Sequence, residues 1–176
     1  MSHNIITVET YPERLGSGRF KRVCIILIAF YLPQIGGGLG ALVTKDSIDG
    51  WYQTLNKPSW TPPTWLFMPM WIFLYSLLGI ASYMTYVFGN GLGGAAKWPI
   101  IIYVCNLVLN WLWSPVFFGT ENILAGLVLI ATILLSAVLT AVLFARVYWV
   151  LGLLLLPYVV WLTVATALNA WIYVNN

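Results

Sequence analysis

Beyond Lys57 the chain carries only three charged side chains, Lys97, Glu121 and Arg146. Each uncharged interval they leave exceeds the ~20 mostly apolar residues that a helix needs to cross a bilayer. A further uncharged run lies between Arg22 and Lys45. Lipid offers the backbone no hydrogen-bonding partner, so runs of this length must satisfy their own N–H and C=O groups as helices. A transmembrane barrel would alternate in polarity over segments of about 10 residues, and no such alternation occurs. The expected fold is an all-α integral membrane protein, a bundle of five transmembrane helices. Its spans lie near 23–43, 65–88, 98–118, 123–145 and 148–173, within a membrane domain 23–176 that follows a polar, basic tail, 1–22.

Composition agrees. Hydrophobic residues make up 61% of the 176 and charged residues 7%, against about 45–50% and about 25% in soluble domains. Mean hydropathy is +0.88. A soluble domain of this size must expose much of its surface to water and has too little polar surface here to do so. The same numbers exclude disorder. Eight Lys and Arg and a net charge of +3 make no basic stripe for nucleic acid.

Cys24 and Cys105 sit in or beside apolar segments, where small buried residues are commoner than disulfides. With no CxxC and no Cys/His cluster, no metal site is expected. His3 reads as a solvated tail residue. The first apolar run is too long for a secretory signal. Arg14, Arg19, Lys21, Arg22, Lys97 and Arg146 fall on one side of the membrane, and Lys45 and Lys57 on the other. The positive-inside rule therefore places the N-terminus in the cytoplasm.

The first loop, 44–64, is longer than a connector between neighbouring spans requires. Pro58, Pro62 and Pro63 stiffen it, so an ordered loop is expected. Trp51, Tyr52 and Trp60 admit two readings, an aromatic belt at the headgroups or a lid over the mouth of the bundle. Pro115 and Pro157 interrupt the third and fifth spans as kinks or as ordinary membrane-helix prolines.

No span holds an ionisable side chain in its interior. This argues against a pump, a proton-coupled transporter or a charge-ring channel, and against acid–base or metal catalysis. Five spans also do not divide into two equal inverted repeats. The polar groups inside are neutral. Tyr103, Asn106, Asn110, Ser114 and Phe117 share a face of the third span, with Trp111 and Trp113 flanking it. Thr64, Met68, Trp71 and Tyr75 share one in the second span, and Tyr158, Trp161, Ala165 and Leu168 one in the fifth. Helix packing accounts for such stripes; so does an uncharged pocket for a flat, mostly apolar ligand, in which rings stack and a few amides and hydroxyls orient it. Gly36 and Gly40 form a GxxxG that permits close approach within the bundle or between protomers.

Three motifs resemble a known family. WYQTLNKPSWTPPTW (Trp51–Trp65) is similar to the first-loop signature of the TspO/MBR family, the translocator protein or peripheral benzodiazepine receptor family. LNWLWSPVFFG (Leu109–Gly119) resembles its third helix, and LPYVVW with ATALN (Leu156–Trp161, Ala165–Asn169) its fifth. The resemblance implies a five-helix bundle with a pocket near the first-loop side, capped by that loop, and commonly a homodimer. It implies ligands such as protoporphyrin IX, haem and benzodiazepine-type compounds, with roles in tetrapyrrole transport, breakdown or stress regulation, in a membrane it does not identify. The ligand-binding positions it implies are Tyr52, Pro62, Trp71, Asn110, Trp111, Ser114, Trp161, Ala165 and Leu168. No cofactor follows from it. The animal cholesterol motif is broken: Ala170 stands in place of its Tyr and Val174 in place of its basic residue, so cholesterol is not an expected partner. Thr64 stands where animal members carry His. Three readings follow: a porphyrin receptor or carrier; a light- or oxidant-dependent porphyrin-degrading enzyme with Trp71 and Trp161 as reaction partners; and a structural or partner-assembly membrane protein.

Overall fold

The computed structural model describes residues 19–176; the tail through residue 18, including Arg14 and His3, lies outside them. The helices are α1 (Arg19–Asp49), α2 (Trp51–Thr54), α3 (Thr64–Phe88), α4 (Lys97–Ser114), α5 (Ile123–Val147), α6 (Trp149–Leu154) and α7 (Leu156–Asn175). Five stretches are long and apolar enough to cross a membrane: Arg22–Gly40, Thr64–Phe88, Lys97–Gly119, Ile123–Val147 and Trp149–Asn175. This is the all-α five-span bundle expected from the uncharged runs.

Each prolyl interruption has a visible consequence. Pro115 opens a π-helical turn, Pro115–Gly119, that carries the third span to its end. Pro157 lies in the first turn of α7 and has no N–H to continue the preceding helix, so the fifth span divides into α6 and α7 at Leu155. At the start of α5 the Asn122 side chain accepts a hydrogen bond from the Ala125 amide at 2.9 Å, which satisfies one of the free amides of the first turn.

α1 lies along α3, and α5 packs against α4, α6 and α7. The core is built from Leu74, Leu78, Leu107, Ile130, Ile133, Phe144, Leu155, Tyr158 and Leu162. Polar side chains are also inside: Asn106, Thr85 and Thr140 are fully buried, and Asn110, Asn169 and Ser82 nearly so. Large apolar side chains such as Leu42, Leu135 and Val160 face outward, as a lipid-facing surface requires. Trp60 and Trp65 are exposed at the first-loop end, and Trp98, Tyr148 and Trp149 at the other. These are the two amphipathic belts of a spanning bundle.

α1 continues as a helix beyond its apolar span, to Asp49, and takes in the first residues of the expected loop. The structure corrects one expectation: Cys24 is half-buried and Cys105 exposed, so neither thiol is packed in the core; both are free.

Candidate functional site

The helices part at the first-loop end to leave a cavity of about 980 Å³. Its walls come from α1, α2, α3, α4 with its π-turn, and α7, with Ile130 of α5.

Helical spacing on α3 brings Thr64, Met68, Trp71 and Tyr75 to one wall, as their i, i+3, i+4 pattern requires. Trp71 stacks on Tyr75, centroids 5.3 Å apart and planes at 29°. Phe67 meets Trp161 of α7 edge to face at 5.8 Å, which closes the α3–α7 side. α7 continues the wall with Ala165 and Leu168. α4 contributes Asn110, Trp111, Trp113 and Ser114, and its π-turn contributes Phe117 and Phe118.

The polar interior is a hydrogen-bonded chain that begins on the cavity wall. Tyr75 Oη donates to Asn110 Oδ1 at 2.8 Å, and Asn110 Nδ2 donates to Tyr158 Oη at 2.7 Å. Tyr158 Oη donates to Asn106 Oδ1 at 3.0 Å. Asn106 Nδ2 donates to the Ile133 carbonyl at 3.0 Å and to Ser136 Oγ at 2.8 Å. The chain ties α3, α4, α7 and α5 together beneath the cavity. Of the two sequence-level readings of the Asn face, Asn106 serves packing, while Asn110 serves packing and also lines the cavity.

The glycines of α1 let other side chains into their space. A Cβ on Gly36 would fall 2.0 Å from the Trp111 ring, one on Gly37 2.6 Å from the Tyr75 ring, and one on Gly40 3.1 Å from Ser114 Oγ. The GxxxG of Gly36 and Gly40 thus makes its close approach inside the bundle, against α4. Trp111 reaches the cavity from beside the Asn face because Gly36 leaves room for its ring.

The first loop divides between its two readings. Trp60 is exposed at the belt, whereas Tyr52 is buried against Phe117 and Phe118 and lines the cavity. Burial raises the Tyr52 phenol above its ordinary pKa, so it stays neutral. Lys57 Nζ donates to the Tyr52 carbonyl at 2.6 Å and sits 4.5 Å over the Tyr52 ring. Asn56 pairs with the end of α7. Its amide donates to Asn176 Oδ1 at 2.8 Å, its carbonyl accepts from Asn176 Nδ2 at 3.1 Å, and its Nδ2 donates to the Asn175 carbonyl at 3.0 Å.

Eight of the nine expected positions line the cavity: Tyr52, Trp71, Asn110, Trp111, Ser114, Trp161, Ala165 and Leu168. Pro62 does not; it lies in the irregular segment before α3. The glycines and Phe67, Trp113, Phe118 and Ile172 also form wall. Phe67 and Ile172 stand one helical turn from Trp71 and Leu168, a spacing legible in the sequence; the GxxxG of Gly36 and Gly40 signals close approach but not a cavity wall, and Phe118 gives no such spacing signal.

Residues 29–174 match the profile of the TspO/MBR family. The chain belongs to the TspO/MBR family. Within it the chain is similar to the translocator protein of Bos taurus, 39% identical over 82% of this chain and 86% of that one. It is 40% identical to the tryptophan-rich protein TspO of Archaeoglobus fulgidus, over 85% of this chain and 96% of that one. Protein CrtK of Rhodobacter capsulatus is 38% identical over 82% of this chain and 88% of its own. This TspO/MBR chain is therefore a multi-pass integral membrane protein, and its relatives span bacteria, archaea and mammals.

Proposed function

We propose that this TspO/MBR protein is a membrane receptor or carrier for porphyrins, protoporphyrin IX and haem among them, and for related flat hydrophobic ligands. It holds them inside the bundle and serves tetrapyrrole transport or stress regulation. The observation that carries this reading is the cavity. Its ~980 Å³ stands at the upper end of the roughly 300–1,000 Å³ typical of ligand pockets. Its walls are the rings of Tyr52, Phe67, Trp71, Trp111, Trp113, Phe117 and Trp161, with Asn110 and Ser114 as neutral polar contacts. Large flat apolar surface with few orienting groups matches a macrocycle better than it matches an ion or a sugar. The name of a relative from Cereibacter sphaeroides, tryptophan-rich sensory protein, agrees with a receptor. The N-terminus lies in the cytoplasm in this reading, and the protein is a homodimer.

The test is a titration of purified, detergent-solubilised protein with protoporphyrin IX in the dark, read by tryptophan quenching. A Trp71→Phe, Trp161→Phe double variant is run beside it. Saturable quenching that the variant weakens supports the pocket; no saturation, or identical curves, removes it and favours a structural protein. The degrading-enzyme reading has its own observation, the Trp71–Tyr75 stack on the wall. Illuminating the same samples decides it: loss of porphyrin absorbance with the parent protein but not the variant supports an enzyme.

A further inference from the structure

We propose that ligands enter the cavity sideways from the bilayer, through a slot between α1 and α3 in the leaflet on the first-loop side. The proposal rests on the ligand class given above.

The other sides of the cavity are closed. Phe67 against Trp161 shuts the gap between α3 and α7. Trp111 packed into the space at Gly36, Ser114 against Gly40, and Ser47 Oγ donating to the Phe118 carbonyl at 3.0 Å close α1 onto α4 and its π-turn. Tyr52 is wedged against Phe117 and Phe118, and its loop is held to the end of α7 by the three Asn56 hydrogen bonds.

Between α1 and α3 the contact is firm below the cavity and at its floor, where the Tyr75 ring fills the space at Gly37. Below the floor Gly79 admits the Ala29 carbonyl, 2.6 Å from where its Cβ would lie. One level higher, Gln34 Nε2 donates to the Ile72 carbonyl and to Ser76 Oγ, both at 3.1 Å. Above this floor several residues that line the cavity are also open to the outside: Gly38, Leu42 and Asp49 on α1, and Thr64, Trp65, Met68 and Ile72 on α3. Leu42 is 75% exposed, Trp65 71% and Met68 64%, far too open for a sealed wall. Thr64 to Ile72 rises about 12 Å along α3, and Trp65 stands at the headgroup belt, so the slot faces acyl chains rather than water. Among the described side chains that line the cavity the one charge is Asp49, at the loop end of α1, about 10 Å along the helix from Leu42. A flat apolar ring dissolved in the leaflet meets the apolar side chains of Leu42, Met68 and Ile72 on this path and needs no passage through the loop.

Gly38 permits a direct test, because a Cβ there meets nothing within 4 Å. Gly38→Phe adds a ring at the lip of the slot, from a position whose Cβ meets no neighbour. Gly93→Phe, at a site equally open but in the α3–α4 connection, is the control. Protein in phosphatidylcholine vesicles is mixed in the dark with vesicles preloaded with protoporphyrin IX, and tryptophan quenching is followed in time. Gly38→Phe is expected to slow association and dissociation together by about tenfold, as a narrowed doorway does, while Gly93→Phe changes neither. Loosening the loop with Asn176→Ala, which removes the partner of the Asn56 amide and carbonyl, should leave both rates as they are. Unchanged rates in Gly38→Phe, or faster exchange in Asn176→Ala, overturn the slot. Failure of the parent protein to bind refutes the ligand class instead. The slot is then judged by a spin label at Gly38→Cys, with Cys24 and Cys105 replaced by Ala. Relaxation dominated by oxygen, which concentrates in lipid, supports it; relaxation dominated by a water-confined nickel chelate overturns it.

Discussion

Asn110 bonds two tyrosines from two other helices, and its amide has no substitute. Asn110→Leu leaves Tyr75 Oη and Tyr158 Oη each short of a partner in a buried site. Interhelical hydrogen bonds in membranes average about 0.6 kcal/mol and reach about 1.7, so losing two should cost about 1–3 kcal/mol. Thermal unfolding in detergent checks this, and Ser114→Ala, at a half-buried hydroxyl outside the chain, should cost much less. Asp49 is the charged residue among the described side chains that line the cavity. Its carboxylate opposes the two carboxylates of protoporphyrin IX, so Asp49→Asn should tighten that ligand by about two- to fivefold at low salt and less at high salt. The dimethyl ester, which carries no such charge, should bind both proteins equally; an equal gain for the ester removes the electrostatic explanation.

At the scale of elements, α1 is placed by what its glycines and those of its neighbours leave out. The α1–α3 contact at Ala29 meets backbone rather than a mobile side chain. Gly79→Ala must therefore push the helices apart, at about 1–3 kcal/mol for overpacking. Gly38→Ala, in open space inside the helix, should not lower the melting temperature, since Ala favours a helix over Gly. The loop is held by its clasp to α7. Asn176→Ala removes the partner of both the Asn56 amide and the Asn56 carbonyl, and hydrogen exchange at that amide should rise to the rate of an open loop. Protection that persists in the variant places the restraint elsewhere, in Tyr52 and Lys57.

For the whole molecule, the Asn56–Asn175 and Asn56–Asn176 bonds put the end of α7 on the same side as the first loop, opposite the start of α1. Five crossings require this. With the positive-inside count, cysteines placed before α1 should react with thiol reagents only from the cytoplasmic face, and one at Asn176 only from the other. The reverse labelling overturns the orientation and leaves the bundle intact.

The spans were legible because membrane insertion is a constraint on composition: long uncharged runs with no water to bond to have one backbone solution. The faces of α3, α4 and α7 were legible because helical spacing fixes which side chains stand together, and those faces supply most of the wall. The loop motif and the two helix motifs carried the family. What stayed hidden depends on how helices meet. Nothing local tells that Gly36 yields its space to Trp111, that Asn56 pairs with Asn175 and Asn176 far along the chain, or that α1 runs on to Asp49. Pro62 fits the first-loop motif yet stands outside the cavity, and the even choice between belt and lid resolved residue by residue, Trp60 to one and Tyr52 to the other. Local sequence specifies a helix and its apolar face by short-range sterics and solvation; a cavity is the volume that several such faces fail to fill, and only their packing in three dimensions sets it.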